Sequence, residues 1–313
     1  MVNPIGGGSV QEAELPRVTG VAWRASPART ESPFAQGLRR LRRSATALVG
    51  AAIVGVLLVV AIFADVLAPD SPTASDQMHT FARPSWDHPL GTDQLGRDML
   101  SRIIHGTRIS LIVGVSSVLL ALFVGVPFGL IAGYYGGRVD RSVMRVMDLI
   151  LAFPIYLLAI ILMIIFAPTA GLIGTMKVTG AIAIVRIPIY ARLVRGSVLS
   201  IKEKEYIEAC RAVGVRDPWI LVRHVLPNCL APIIVTTTLG IATSIIVEAT
   251  LSFLGLGTQP PTPSWGWDLK ANVAFIQSNP WISLFPGIAI FVTVLGFNLF
   301  GDGLRDALDP RLK

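Results

Sequence analysis

Charge is scarce in this chain of 313 residues: charged side chains make up 15% and hydrophobic ones 52%. Soluble domains carry about a quarter of their residues as charges, so a soluble enzyme or scaffold is excluded. Cysteine is nearly absent, with only Cys210 and Cys229. Both fall on the side assigned below to the cytoplasm, so free thiols are expected and no disulfide. The histidines His79, His88, His105 and His224 show no metal-ligand spacing, and no metal site is expected. No Gly-x4-Gly-Lys-Ser/Thr loop occurs, so the backbone cradle and lysine that hold nucleotide phosphates are missing. No nucleophile–base constellation stands out, which argues against an intramembrane hydrolase.

What is abundant is apolar sequence in long runs. Runs of about twenty residues recur, the length a helix needs to cross roughly 30 Å of hydrocarbon. Six spans are predicted, at 45–67, 109–134, 143–167, 172–190, 230–252 and 284–300. The fold class is therefore an all-α, multi-pass membrane protein. The net charge of +7 is read by position. Arg39, Arg40, Arg42 and Arg43 precede the first span, and Arg192, Arg195, Lys202, Lys204, Arg211, Arg216 and Arg223 crowd the loop after the fourth. Arg305, Arg311 and Lys313 follow the sixth. Such excess marks cytoplasmic loops, so both termini are expected inside. The bases flank membrane spans, and a nucleic-acid partner is not expected.

Three regions follow. Residues 1–38, rich in Gly, Pro, Ser and Ala, are expected to be a disordered cytoplasmic tail. The apolar run behind that polar stretch is expected to stay as an anchor and not to be cleaved as a leader. Region 39–108 holds the first span and an external amphipathic segment. Over 93–105, Leu95, Met99, Leu100, Ile103 and Ile104 share one helical face, and Gly106 is expected to end that helix. Region 109–313 forms a five-helix core. Pro154 is expected to kink the third span. Lys177 is expected to snorkel outward, and Arg186 to snorkel inward or enter a buried pair.

Between the fourth and fifth spans lies a polar stretch, 203–227, that reads as a hairpin of two short helices. The first carries Glu205, Glu208, Ala209, Cys210 and Arg211 and stops at Gly214, because glycine enters the left-handed conformation without a Cβ penalty. Asp217 is expected to cap the second helix, with Pro218 in its first position and Pro227 at its end. The small residues Ala209, Cys210, Ala212 and Gly214 let another protein approach closely.

This stretch resembles the EAA loop of the membrane subunits of ATP-binding-cassette importers. The family pattern is Glu-Ala-Ala, three residues, Gly, nine residues, then Ile-x-Leu-Pro. Here it reads Glu208-Ala209-Cys210, Gly214, then His224-Val225-Leu226-Pro227. Cys210 and His224 depart from the pattern; Cys is small, and His224 belongs to an Arg-His-x-Leu-Pro-Asn variant common in peptide importers. Four further stretches are similar to the second permease of dipeptide and oligopeptide importers. They begin at His88 (HPLGTDQLGRD), Glu248 (EATLSFLGLG), Gln259 (QPPTPSWG) and Phe297 (FNLFGDGLRDALDP). The resemblance covers 39–313 and leans toward the dipeptide branch.

The resemblance implies the type I importer permease fold in a bacterial plasma (inner) membrane. It implies that Glu205, Glu208, Ala209, Cys210, Gly214, His224, Leu226 and Pro227 couple to an ATPase. The implied partners are a homologous second permease, two ATPase subunits and an extracytoplasmic solute-binding protein, all around a lipid bilayer. ATP and magnesium would sit on the ATPases, and this chain would bind no cofactor and catalyse nothing. Oligopeptides, glutathione, nickel and haem remain alternative cargoes. A stand-alone secondary transporter would be expected to show internal repeats and a broken-helix site, and neither pattern is seen.

Residues outside the loop carry two readings each. Glu248 falls near the outer end of the fifth span, either as an anchor for the following turn or as a substrate contact. Trp265 and Trp267 either sit at the membrane interface or dock the binding protein. Asp302 and Arg305, at helical spacing, read as a local ion pair.

Overall fold

The computed structural model describes Arg39, Leu41, Arg42 and residues 44–308. The expected tail at 1–38, Arg40, Arg43, Arg311 and Lys313 lie outside the described residues. The described chain is helical, with no strand among the described residues. Helix α1 (Ala45–Ile62) is N-capped by Ser44, whose hydroxyl accepts from the Ala47 amide, and a short α2 (Ala64–Leu67) follows. An irregular segment leads to α3 (Met99–Tyr135), whose N-cap Asp98 accepts from the Ser101 amide. Then come α4 (Gly137–Leu151), α5 (Ile155–Phe166) and α6 (Gly171–Ile201). The hairpin consists of α7 (Glu205–Ala212) and α8 (Asp217–Ile220). It feeds α9 (Leu226–Phe253), and α10 (Trp265–Asn272) and α11 (Trp281–Leu308) complete the chain.

Among the described residues, five helices or helix runs are long and apolar enough to cross a membrane: α1, α3, α6, the run Asp217–Phe253 and α11. The pair α4 and α5 makes a sixth only as a broken span, bent by 87°. The predicted kink at Pro154 is thus a full break. Pro154 is the N-cap of α5 with extended backbone, where a proline costs least. Before it, α4 alternates charged and apolar residues, and only Met147 is buried.

The most extensive helix pairing is α3 against α6. It rests on a ridge of three glycines, each one turn from the next. A Cβ on Gly125 would lie 2.7 Å from the Ile187 carbonyl oxygen, one on Gly129 2.5 Å from that of Ala191, and one on Gly133 2.8 Å from the Val198 Cβ. Only hydrogen fits in these gaps. Between apolar helices in lipid there is no gain from hiding side chains, so close backbone packing supplies the association. The α1–α11 pairing repeats the device, with Gly50 set against the Phe300 backbone and Gly303 against Ala47.

Three further expectations are corrected. Gly106 does not end a helix. Helix α3 runs through it, and the glycine is needed because an added Cβ would stand 2.6 Å from the Trp265 indole nitrogen. The amphipathic pattern over 93–105 is therefore the first turns of α3 behind an irregular turn, and Met99, Ser101, Arg102 and Ile104 are buried. Helix α6 extends to Ile201, beyond the predicted 190. That places Arg186 mid-helix, where it is only 8% exposed and donates to the Thr243 hydroxyl of α9; it does not snorkel, and it has no ion-pair partner among the described residues. Lys177 does reach the end of the bundle, donating to the Ala167 carbonyl at 2.9 Å. Asp302 and Arg305 form no ion pair among the described residues; Arg305 lines a groove with Pro232, Leu239 and Leu308.

Overfilling the glycine ridge should be costly. Gly129→Val is expected to destabilise the chain by about 1–3 kcal/mol, the usual cost of added methylenes at a tight contact. Gly180→Ala, where nothing lies within 4 Å, should leave stability unchanged or slightly raised. Thermal unfolding in detergent compares the two.

Candidate functional site

The hairpin is built from its turn outward. Helix α7 ends in a left-handed residue, Gly214, at φ 79°. The Gly214 amide donates to the Arg211 carbonyl and the Val215 amide to the Cys210 carbonyl, at 2.9 and 3.0 Å. This paired closure satisfies two carbonyls that a helix end otherwise leaves open. Pro218 sits in the first turn of α8 as expected. Asp217 does not cap that helix with its side chain; it accepts from the Tyr134 hydroxyl of α3 at 2.6 Å. Nor does Pro227 close the helix. A π-helical turn over Leu221–Val225 shifts the ladder to the wider spacing, and Pro227 then falls in the first turn of α9, where a missing N–H is tolerated.

One face of the hairpin is anchored. Ile207, Ile220, Leu221 and Val225 are buried against Leu130, Val194, Val198 and Cys229. Tyr134 joins both arms, since the Arg211 guanidinium stands 5.0 Å over its ring and donates to its hydroxyl at 3.4 Å. Lys202 donates to the Gly133 carbonyl at 3.2 Å. The other face is bare. Val213, Trp219 and Val222 are 79%, 61% and 64% exposed, an apolar ridge around the turn.

The sequence-derived loop residues divide between these faces. Glu205, Glu208, Ala209, Gly214 and Pro227 are exposed; Cys210, His224 and Leu226 are half-buried. Cys210 and Leu226 pack on the anchoring cluster, and the His224 carbonyl accepts from Asn228 at 2.7 Å. Glu208 also lines a depression of about 370 Å³ with Tyr134, Lys202, Glu203 and Arg211. Trp219, Val222 and Tyr134 were not singled out in the sequence. The clue was an exposed-type tryptophan in a charged stretch; nothing in the sequence pairs Tyr134 with residues some eighty positions away.

At the far end of the bundle, Glu248 is fully buried. It accepts from Ser252 at 2.8 Å, Ser264 at 3.0 Å and Ser110 at 3.4 Å, so it links α9, the segment before α10, and α3. Trp265 is buried beneath the same cap, its indole donating to the Ile103 carbonyl at 3.1 Å, and cannot meet a partner. Trp267 is half-buried, with the Lys270 ammonium 4.8 Å over its ring. The surface aromatic here is Trp86, which is fully exposed, with Met78 90% exposed. A buried ion pair, Arg102 with Asp268, pins α10 to α3. Burial pushes the Asp268 carboxyl above its ordinary range, and the neighbouring Arg102 opposes the shift. Asp65, beside Arg108 and His105, is held below its ordinary value by their hydrogen bonds.

Comparison with known proteins places this geometry. Residues 125–313 match the profile described as "Binding-protein-dependent transport system inner membrane component", and residues 32–84 that of the "N-terminal TM domain of oligopeptide transport permease C". The chain is 46% identical over 282 residues to the dipeptide transport system permease protein DppC of Alkalihalophilus pseudofirmus, covering 90% of this chain and 91% of that one. It is 46% identical over 283 residues to the glutathione transport system permease protein GsiD of Pectobacterium atrosepticum, covering 90% and 92%. A chain of the MetNI methionine ABC transporter, solved in inward-facing conformations, shares the fold at a TM-score of 0.54 and 20% identity, over 67% of this chain and 98% of that one. By these matches and by its helical architecture, the chain belongs to the family of binding-protein-dependent inner membrane components, the multi-pass permease subunits of ATP-binding-cassette importers, in the dipeptide, glutathione and oligopeptide branch.

Proposed function

We propose that this chain is one of two permeases in a bacterial inner-membrane importer of dipeptides, with both termini in the cytoplasm. A homologous permease supplies the other wall of the path, and a solute-binding protein delivers cargo from outside. Two ATPase subunits, which hold the ATP and magnesium, dock on the hairpin. The chain itself does no covalent chemistry. The observation that carries the reading is the two-faced hairpin. Its inner face is fixed to α3, α6 and α9, and its outer face presents Val213, Trp219 and Val222 around a left-handed glycine. An apolar ridge of this kind supplies the anchor residues of a docked interface.

Glutathione is the second reading for cargo, because relatives of equal identity carry that name. Glutathione is itself a short peptide with free carboxylates, so either cargo suits one path. At the outer face, Trp86 and Met78 replace Trp265 as the residues offered to a binding protein.

Cells lacking the gene are expected to lose uptake of a labelled dipeptide, and in wild-type cells unlabelled dipeptide should compete better than glutathione, pentapeptide, nickel or haem. Loss of glutathione uptake alone would move the cargo and keep the architecture. Gly214→Trp is expected to leave the chain in the membrane at normal abundance yet lower uptake by about tenfold or more, the scale of a lost anchor contact. Normal uptake in that variant would remove the hairpin from coupling. Glu248→Ala leaves three serine hydroxyls without their acceptor and should destabilise the chain by about 1–3 kcal/mol. Glu248→Gln keeps an acceptor oxygen and should cost less. An altered cargo preference in Glu248→Gln at unchanged melting temperature would instead assign that carboxylate to the path.

A further inference from the structure

We propose that Asp70, His88 and Asp98 form a site for a divalent cation of the zinc class, on the end of the bundle opposite the hairpin. The three come from separate places: Asp70 follows α2, His88 lies in the irregular segment, and Asp98 is the N-cap of α3. Their ligand atoms nonetheless all lie within 4.8 Å of one another. Nδ1 of His88 stands 3.2 Å from Oδ1 of Asp98. Ligands bound to tetrahedral zinc at about 2.0–2.2 Å are about 3.3 Å apart. That edge already has the spacing of a coordinated pair.

Charge points the same way. Two carboxylates converge here, and among the described residues neither pairs with a lysine or an arginine. The nearby Arg97 is engaged by Asp93 and Arg102 by Asp268. Like charges at this range repel unless a cation sits between them. The surroundings are also arranged as outer partners of a metal site. The second oxygen of Asp98, itself 2% exposed, accepts from the Ser101 amide and hydroxyl at 2.7 and 2.8 Å. The Ser101 hydroxyl in turn accepts from the Asp70 amide at 3.1 Å. Such contacts fix the direction of ligating carboxylates.

A second imidazole stands by. The His79 ring centroid is 5.9 Å from that of His88, and its Nδ1 is held by Asp76 at 2.7 Å. A carboxylate on one ring nitrogen leaves the other free; His79 stands outside the three-residue cluster, where it can hold a water bound to the ion. An imidazole with carboxylates favours zinc, cobalt or nickel over magnesium or calcium. A bound ion would close the segment between α2 and α3 at its two ends and its middle, making a rigid outer platform.

The test is metal analysis of the full chain, purified in detergent with its partner subunits and dialysed against zinc-free buffer. About one zinc per chain is expected by mass spectrometry after equilibration with micromolar zinc. Cobalt exchange should give the visible absorption of a tetrahedral site. His88→Ala and Asp70→Ala should lose both signals, and His79→Ala should weaken zinc binding about tenfold or more. In the wild type, zinc should raise the melting temperature, and the His88→Ala variant, melting as a folded protein, should not respond. Equal zinc in wild type and variants would mean adventitious surface binding and overturn the proposal. No zinc on the wild type, with a melting temperature that zinc does not move, would also overturn it and leave the His88–Asp98 hydrogen bond as a structural contact. None of these readouts depends on the cargo, so failure here is separable from failure of the importer reading.

Discussion

The pairing of α3 with α6 through Gly125, Gly129 and Gly133 is the contact on which the rest of the architecture hangs. In lipid, apolar side chains gain little by packing on each other, and proximity of backbones must supply the attraction. The ridge sets the depth at which α3 sits against α6. The adjoining end of α3 then carries Tyr134 to both hairpin arms. The adjoining end of α6 carries Arg195, whose guanidinium makes a two-pronged pair with Asp140 of α4 at 2.5 and 2.6 Å. Bidentate geometry of this kind fixes orientation as well as distance. A shift of one turn along the ridge would unseat the hairpin and α4 together.

The second organising feature is continuity. From Asp217 to Phe253 the chain is one helical run of 37 residues, about 55 Å at 1.5 Å per residue. Trp219 and Val222 stand at one end, and Glu248 with its three serines near the other. The π-helical turn and Pro232 lie within this run without interrupting it. No loop lies within it, so one unbroken stretch of helix joins the hairpin to the buried cap around Glu248. Two discrete packings of such rods are the usual substance of a switching transition.

Much of this was legible in the residues. Gly214 was assigned to the left-handed turn because glycine, two charged helices and a proline follow one grammar, and its φ is 79°. The long apolar runs marked the spanning helices. The glycine ridge was not read from the residues: three glycines at four-residue spacing stand in an apolar run, but the same letters also fit a helix stop, as supposed for Gly106. What separates the two is whether a neighbour presses on the glycine, and for Gly106 the neighbour is Trp265, far along the chain. Pro227 misled for a similar reason: proline ends a helix interior, yet is harmless in a first turn, and only the π-helical turn makes that position a first turn. The His88 cluster was invisible because metal spacing was sought along the sequence, whereas Asp70, His88 and Asp98 meet only after the outer segment folds back on α3.

The break between α4 and α5 has a consequence for the surrounding lipid. Helix α5 has 12 residues, about 18 Å of helix, against about 30 Å of hydrocarbon. Helix α4 leaves it at 87° and cannot lengthen it. A short apolar stretch is matched by thinning the bilayer around it, at a fraction of a kcal/mol for each ångström. The shortfall of about 12 Å is of the size that local thinning, snorkelling flanking residues or a neighbouring chain packed on this flank must make up.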